Sequence, residues 1–211
     1  MNALAGGPLA VPSEDCVGPH PEAHAEEPVA AAPQECPTCL GASMPNWRLY
    51  DFQPISCGFG QHYGLDQFVG RPTLVVMLSA SCGYCLGQAS KLEELQLELQ
   101  AAGVETHFAV VNSAGTEDRQ QSLADRVSFP LFQDTQDRFG WGAFNGEKDD
   151  FFIYDATGRL AAYYPSHGTV ETTLSIEEGY GNLRDALLHV SGRADVALPA
   201  DGNGGAVEGE Q

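Results

Sequence analysis

Two cysteines separated by two residues, Cys82 and Cys85, carry the clearest chemistry in this sequence. In such a pair one sulfur, as a thiolate, can attack a disulfide or a peroxide, and the second sulfur can then displace the bound product. We predict that Cys82 is the nucleophile and that Cys85 is the resolving residue. Gly83 and Tyr84 lie between them, and we expect Tyr84 to shape the redox potential and the substrate contact. The alternatives for the pair are a structural disulfide and half of a metal site.

The residues around the pair predict where it lies in the fold. Thr73–Ser79 is a continuous aliphatic and β-branched run, typical of a strand buried on both faces. In Leu86–Ala102 the side chains of Leu92, Leu95 and Leu99 recur at helical spacing. A helix that begins at the first cysteine turns free N–H groups and the positive end of its dipole toward that sulfur. This environment favours the thiolate, which is the reactive form.

The order of the remaining elements predicts the fold. After the first helix, the sequence predicts a strand at Val104–Asn112 and a polar helix at Thr116–Val127 that begins with Thr116. A hairpin follows, with strands at Asp150–Asp155 and Arg159–Tyr164, and the last helix is Tyr180–Val190. A βαβα half followed by a ββα half is the thioredoxin order. We therefore expect an α/β, thioredoxin-like fold with a central mixed sheet flanked by helices.

Composition divides the chain into three parts. Residues 1–35 and 191–211 are acidic segments rich in small residues, and they carry too little apolar surface to offset chain entropy. We expect both to be disordered, with one redox domain at 36–190. The formal charge of −19 and the pI of about 4.4 argue against nucleic acid and anionic membrane surfaces as partners.

The sequence contains no apolar run long enough to span a membrane. Its first residues lack the basic and continuous apolar regions of a clear signal peptide. The residues alone therefore leave the compartment open.

The other cysteines allow several interpretations. Cys36 and Cys39 form a second Cys-x-x-Cys, which could be half of a zinc site completed by Cys57 and His62. A disulfide, or a second redox pair that passes electrons to Cys82, explains the spacing equally well. Cys16 lies in the acidic segment, and we expect it to be incidental.

Two longer runs indicate a specific family. The sequence from Gln88 to Glu93 and the sequence from Lys148 to Asp155 have no general redox meaning, and both resemble the N-terminal redox domain of selenoprotein P. The resemblance spans about Cys39 to Val190. It implies a secreted thiol–disulfide oxidoreductase. We expect the proposed reaction to require no organic cofactor or metal and to take its electrons from glutathione or a thioredoxin-type reductant.

The chain differs from this family pattern in two respects. Cys82 stands where the family has selenocysteine, so we expect a slower peroxidase step. The sequence has no His-rich and selenocysteine-rich region, and we do not expect the family's selenium-carrier role.

The substrate of the predicted pair is left open by the residues that could surround it. Thioredoxin-like oxidoreductases place a cis-proline before the strand that faces the dithiol, and Lys148 and Asp149 stand there instead. Pro130 is the nearest upstream candidate for a cis bond. Without that proline, the grip on a protein disulfide weakens, and glutathione or a small peroxide becomes a plausible substrate.

A thiol-dependent peroxidase is accordingly the alternative function. Such enzymes surround the reactive sulfur with hydrogen-bond donors that polarise the peroxide. Gln88, Trp141 and Asn145 could supply these donors. His107, in contrast, lies within a predicted strand, and we expect it to be a core residue and not a catalytic base.

Overall fold

The computed structural model describes residues 16–21, 34–137, 140–193 and 195–198. Its strands are β1 Leu49–Asp51, β2 His62–Tyr63, β3 Thr73–Leu78, β4 His107–Asn112, β5 Leu131–Gln133, β6 Phe151–Tyr154 and β7 Leu160–Tyr164. Its α-helices are α1 Gly83–Ala101, α2 Gln120–Ala124, α3 Gly140–Phe144 and α4 Glu177–Val190, and Leu65–Phe68 and Glu117–Arg119 form 3₁₀ turns.

The strands form one mixed sheet in the order β2-β1-β5-β4-β3-β6-β7. Strand β3 pairs parallel with β4 and antiparallel with β6, and every residue of β3 is buried. Because parallel neighbours need a crossover, α1 connects β3 to β4 across one face of the sheet. The predicted thioredoxin-like architecture, a central mixed sheet flanked by helices, is confirmed.

Two hydrophobic clusters cover the two faces of the sheet. On one face, α1 and α4 pack on alternate residues of β3 such as Leu74 and Val76. On the other face, Val75 and Met77 lie among aromatic side chains that include Trp47 and Phe132. Successive side chains of a strand point to opposite faces of the sheet. Because both faces are covered, the side chains of β3 are buried on both sides, and the strand is an almost continuous apolar run.

Some elements differ from the prediction. Strands β1, β2 and β5 are only two or three residues long, too short for a periodic signal, and were not predicted. The single helix expected at 116–127 is a 3₁₀ turn followed by the five-residue α2. The hydroxyl of Thr116 does not cap that helix, because it donates to the side chain of Asn112 and the carbonyl of Ser113.

Part of the segment expected to be disordered is packed on the domain. Val17 forms a bridge with Ser56, and Cys16 forms a disulfide with Cys57. Cys16 is therefore not incidental, since it attaches residues 16–21 to the loop after β1. At the other end, His189 contacts the carbonyl of Val196 through its Nδ1 atom at 2.7 Å. Residues 1–15, 22–33, 194 and 199–211, where the remaining predictions of disorder fall, lie outside the described residues.

Within the described residues, no helix combines the length and the apolar character needed to cross a membrane.

Candidate functional site

Cys82 occupies the N-cap of α1, as the sequence predicts. Its backbone is extended, its carbonyl accepts the helical hydrogen bond from the amide of Leu86, and its sulfur accepts from the amide of Cys85 at 3.4 Å. The sulfur therefore faces the unsatisfied N–H groups of the first helical turn. Gly83, the first helical residue, has open space where a side chain would stand, which leaves one side of the motif uncovered.

A buried polar network holds the turn that leads from β3 to Cys82. The Asn112 side chain accepts from the amide of Ala80 at 2.8 Å and donates to Gln133 at 2.7 Å. The amide of Cys82 donates to the carbonyl of Ser79 at 3.0 Å. Because the buried groups satisfy one another, the network fixes the position at which the helix begins.

The charge around Cys82 favours its thiolate. Partial burial opposes ionisation, but hydrogen bonds from the thiol and amide of Cys85 and the positive charge of Lys148 outweigh it and lower the pKa of Cys82. The ammonium of Lys148 lies 3.9 Å from the Cys82 sulfur. A cysteine of this kind is a better nucleophile near neutral pH than a free peptide cysteine.

Cys85 has the opposite environment. Its side chain is fully buried, and burial, the neighbouring Cys82 sulfur and the charge of Asp149 all raise the pKa of its thiol. Both cysteines are free in the structure. One sulfur is thus activated and partly exposed, while the other is protonated and covered.

The two residues in the place of the expected cis-proline contribute charge to the site. Lys148 and Asp149 precede β6, and their side chains form an ion pair at 2.6 Å. Among the described residues no peptide bond is cis, so Pro130 does not supply the proline either. Asp149 has a φ of 69°, and its amide donates to the carbonyl of Met77 at the end of β3. This local turn directs the pair toward Cys82, which the sequence pattern could not show.

An open groove of about 590 Å³ begins at the motif. It is lined by Tyr84, the turn before β6 and the loop 166–173 that follows β7. Tyr84 spans it: its hydroxyl donates to Thr173 at 3.1 Å, and its ring lies 5.9 Å from the ammonium of Lys148. Tyr84 is 48% exposed.

Of the three candidate residues for polarising a peroxide, two are engaged elsewhere and none is bonded to Cys82. The side chain of Gln88 is buried, donates to the carbonyl of Thr172 and accepts from the amide of Leu174. The indole of Trp141 donates to the carbonyl of Val111. Asn145 is exposed in a turn and makes no described hydrogen bond to Cys82. The constellation of the alternative peroxidase function is therefore not assembled in the described residues.

Of the alternatives for the second cysteine pair, the disulfide is the one observed, and the zinc site is not assembled. Cys36 forms a disulfide with Cys39, and Cys57 forms its disulfide with Cys16, so the thiolates that would bind zinc are absent. His62 instead pairs with Tyr50 across β1 and β2.

The Cys36–Cys39 pair lies far from Cys82. Just after this pair, Gly41 and Ala42 form backbone hydrogen bonds with Leu160. Leu160 of β7 pairs with Tyr154 of β6, and Tyr154 pairs with Thr73, the first residue of β3. Cys82 follows the other end of that six-residue strand, a length of about 20 Å. The alternative in which the second pair supplies electrons directly to Cys82 therefore has no geometric support, because the two pairs lie at opposite ends of β3.

His107 begins β4 and is half-buried, with its ring edge-on to Phe68 at 5.4 Å. Burial, assisted by the charge of Arg71, lowers the pKa of His107 to about 4. It lies at the end of β4 away from the motif, in keeping with a packing role.

Comparisons with known proteins agree with this architecture. Selenoprotein Pa of Danio rerio is 33% identical over 141 residues, which are 64% of this chain and 35% of that protein. Human selenoprotein P is 40% identical over 97 residues, which are 43% of this chain and 26% of that protein. The matched residues thus span between about a quarter and a third of the length of these relatives.

Solved structures share the fold at low sequence identity. A secreted thiol-disulfide isomerase from Corynebacterium glutamicum matches with a TM-score of 0.53 and 17% identity, covering 70% of this chain and 84% of that one. A secreted disulfide oxidoreductase from Mycobacterium tuberculosis matches with a TM-score of 0.51 and 15% identity, covering 67% and 94%.

The family assignment comes from a broader match. The protein-family model described as the N-terminal region of selenoprotein P matches residues 35–165 of this chain. These residues include both cysteine motifs and the turn before β6. This match covers more than half of the sequence, and the chain belongs to the family of selenoprotein P N-terminal regions.

Proposed function

We propose that this chain is a thiol–disulfide oxidoreductase in which Cys82 attacks and Cys85 resolves. The observation that carries the proposal is the contrast between the two sulfurs. Cys82 is partly exposed at a helix N-terminus beside Lys148, whereas Cys85 is fully buried beneath it. An activated sulfur backed by a covered partner suits attack followed by internal resolution.

The reaction balances with two electrons. The Cys82 thiolate attacks one sulfur of a substrate disulfide, forms a mixed disulfide and releases the other substrate sulfur as a thiolate. Cys85 loses its proton and attacks the Cys82 sulfur, which releases the second substrate thiolate and closes a Cys82–Cys85 disulfide. The substrate is reduced to two thiols, and an external thiol such as glutathione, or a thioredoxin-type dithiol, restores the pair.

The groove beside the motif supports a disulfide substrate larger than a peroxide. It extends from Tyr84 and Lys148 along a polar loop, which gives room for the peptide arms of glutathione disulfide or of a protein. Reduction of a small peroxide would use the same nucleophile. It would lack the polarising donors, because Gln88 and Trp141 are bound to backbone carbonyls.

We further propose that the protein acts outside the cell. Two disulfides, Cys16–Cys57 and Cys36–Cys39, are features of oxidising compartments. The formal charge of −19 supports partners other than nucleic acid or anionic membranes.

A single-turnover experiment tests the proposed function. Reduced protein is mixed with glutathione disulfide or hydrogen peroxide, and the products are followed by intact mass. We expect wild type to close the Cys82–Cys85 disulfide faster with glutathione disulfide, Cys82→Ser to be inert, and Cys85→Ser to accumulate one glutathione on Cys82. The double variant Cys36→Ser/Cys39→Ser is the matched control and should retain the wild-type rate.

Three results would contradict parts of this proposal. If the Cys82 thiol reacts no faster than a free peptide cysteine, the pair is structural and the enzyme assignment is wrong. If peroxide is the faster oxidant, the assigned substrate class is wrong. If the Cys36→Ser/Cys39→Ser variant loses turnover, the second pair participates despite its distance.

A further inference from the structure

The environment of Asp149 is unusual for an exposed turn. The residue is only 6% exposed, and one of its carboxylate oxygens, Oδ2, is paired with Lys148 at 2.6 Å. The other oxygen, Oδ1, is buried and has no hydrogen-bond partner within the part of the chain that the structure describes. A buried carboxylate oxygen without a partner is costly, because it has lost its hydration without compensation.

The carboxylate faces the reacting sulfurs. Its charge acts directly on the thiol of Cys85, and its partner Lys148 stands 3.9 Å from the sulfur of Cys82. Cys85 itself is completely covered, so bulk water does not reach its thiol. Asp149 is therefore an acceptor inside the site at the place where the resolving thiol must lose a proton.

We propose that Asp149 is the proton acceptor for Cys85 during resolution, an inference that rests on the function proposed above. In the reduced protein the Cys85 thiol donates to the Cys82 thiolate. Once Cys82 is in a mixed disulfide, its charge is gone and Oδ1 of Asp149 becomes the acceptor.

The step is balanced as follows. The proton of Cys85 passes to Oδ1 of Asp149, and the Cys85 thiolate attacks the sulfur of Cys82. The bond between Cys82 and the substrate sulfur breaks, and the substrate leaves as a thiolate. Asp149 then returns its proton to water or to the departing thiolate. Lys148 offsets the negative charge both when it lies on Asp149 and when it lies on the Cys85 thiolate.

Several titratable groups surround this carboxylate and enter its pH dependence. They are Cys82 and Cys85 from α1, Lys148 and Glu147 from the same turn, Asp150 with its partner Tyr163 of β7, and His167 and Glu171 across the groove. Asp150 is already engaged by the hydroxyl of Tyr163 and by the amides of Glu147 and Ser166. Among these described groups, that leaves Asp149 as the carboxylate with a buried oxygen that accepts no hydrogen bond.

The test separates attack from resolution with Ellman's reagent, dithiobis(nitrobenzoate). Attack by Cys82 releases one coloured nitrothiobenzoate, and resolution by Cys85 releases the second. In Asp149→Asn we expect the second release to slow by at least about tenfold, with a smaller change in the first. The rate of the second release should also become steeper with pH, because hydroxide must then remove the proton. Asparagine suits the backbone at φ 69°, so the variant keeps the local turn.

Asp66→Asn is the matched control, since it removes one exposed carboxylate on the Leu65–Phe68 turn, near Thr157 and Gly158 and at the end of β3 opposite to the motif. Unchanged second-phase rates and pH dependence in Asp149→Asn would overturn the inference and leave the proposed function intact. A slower second phase with the wild-type pH dependence would also overturn it, because that result indicates a positioning effect alone. Absence of a fast first phase in wild type would instead overturn the proposed function, and this inference with it.

Discussion

The ammonium of Lys148 lies 3.9 Å from the sulfur of Cys82, although the two residues are 66 positions apart in the sequence. At this distance a positive charge stabilises the thiolate over the thiol. We predict that Lys148→Gln raises the pKa of Cys82 and moves the pH dependence of its alkylation by iodoacetamide upward. Because Lys148 is about half exposed, the wild-type advantage should shrink as salt is added. Lys91→Gln, on the outer face of α1, is the control. An unchanged alkylation profile in Lys148→Gln would show that the helix terminus alone activates Cys82.

The side chain of Gln88 connects α1 to the loop that lines the groove. It donates to the carbonyl of Thr172 at 3.1 Å and accepts from the amide of Leu174 at 2.8 Å. Gln88→Met would leave both backbone groups unpaired, and we expect a loss of about 2 kcal/mol in the free energy of unfolding. Hydrogen exchange at the Leu174 amide should accelerate. Gln100→Met, an exposed position of the same helix, should change neither quantity. If Gln88→Met leaves Leu174 exchange unchanged, the loop is held by other contacts.

The two disulfides should contribute unequally to stability. Cys16 and Cys57 are 41 residues apart, whereas Cys36 and Cys39 are three apart. Loop-closure entropy gives about 4 kcal/mol for the longer loop and about 2 kcal/mol for the shorter one. Denaturation of Cys16→Ser/Cys57→Ser and Cys36→Ser/Cys39→Ser should therefore show a larger loss for the first double variant. Equal losses would mean that native packing, not the unfolded chain, determines the contribution of each bond.

His107 should make stability depend on pH. Burial, with a smaller contribution from Arg71, lowers the pKa of its imidazole from 6.5 to about 4 in the folded protein. The unfolded chain binds a proton below about pH 6.5, whereas the folded chain does so only near pH 4. The neutral His107 side chain therefore contributes up to about 3 kcal/mol to the free energy of unfolding above pH 6.5. This contribution is lost as the pH falls from 6.5 toward 4.

Chemical denaturation at neutral pH and near pH 4.5 measures this contribution. His107→Leu should lose less stability between the two conditions than wild type does. His167→Gln, at an exposed histidine, should behave as wild type. A wild-type slope in His107→Leu would assign the acid sensitivity to other groups.

The sequence predicts the elements whose signals are long and local. Strand β3 and helix α1 were readable from a six-residue apolar run and from leucines at helical spacing, and the hairpin of β6 and β7 was readable from its short glycine-containing turn. Strands β1 and β5 were not readable, because three residues carry no period and their pairing depends on partners about 80 positions away. The roles of side chains were harder to predict. The amide of Gln88 is a suitable donor for polarising a peroxide, but it is hydrogen-bonded to backbone groups of Thr172 and Leu174.

The position of the dithiol was set by the sequence alone, because a Cys-x-x-Cys between a buried strand and an amphipathic helix has one local geometry. The charges that act on it were decided by tertiary structure. Lys148 and Asp149 reach the motif only because β6 pairs with β3 and the turn before β6 takes an unusual backbone conformation. The same holds for Cys16, whose partner lies 41 residues away. Local sequence fixes how a segment folds, whereas contacts between distant segments depend on packing that no short pattern encodes.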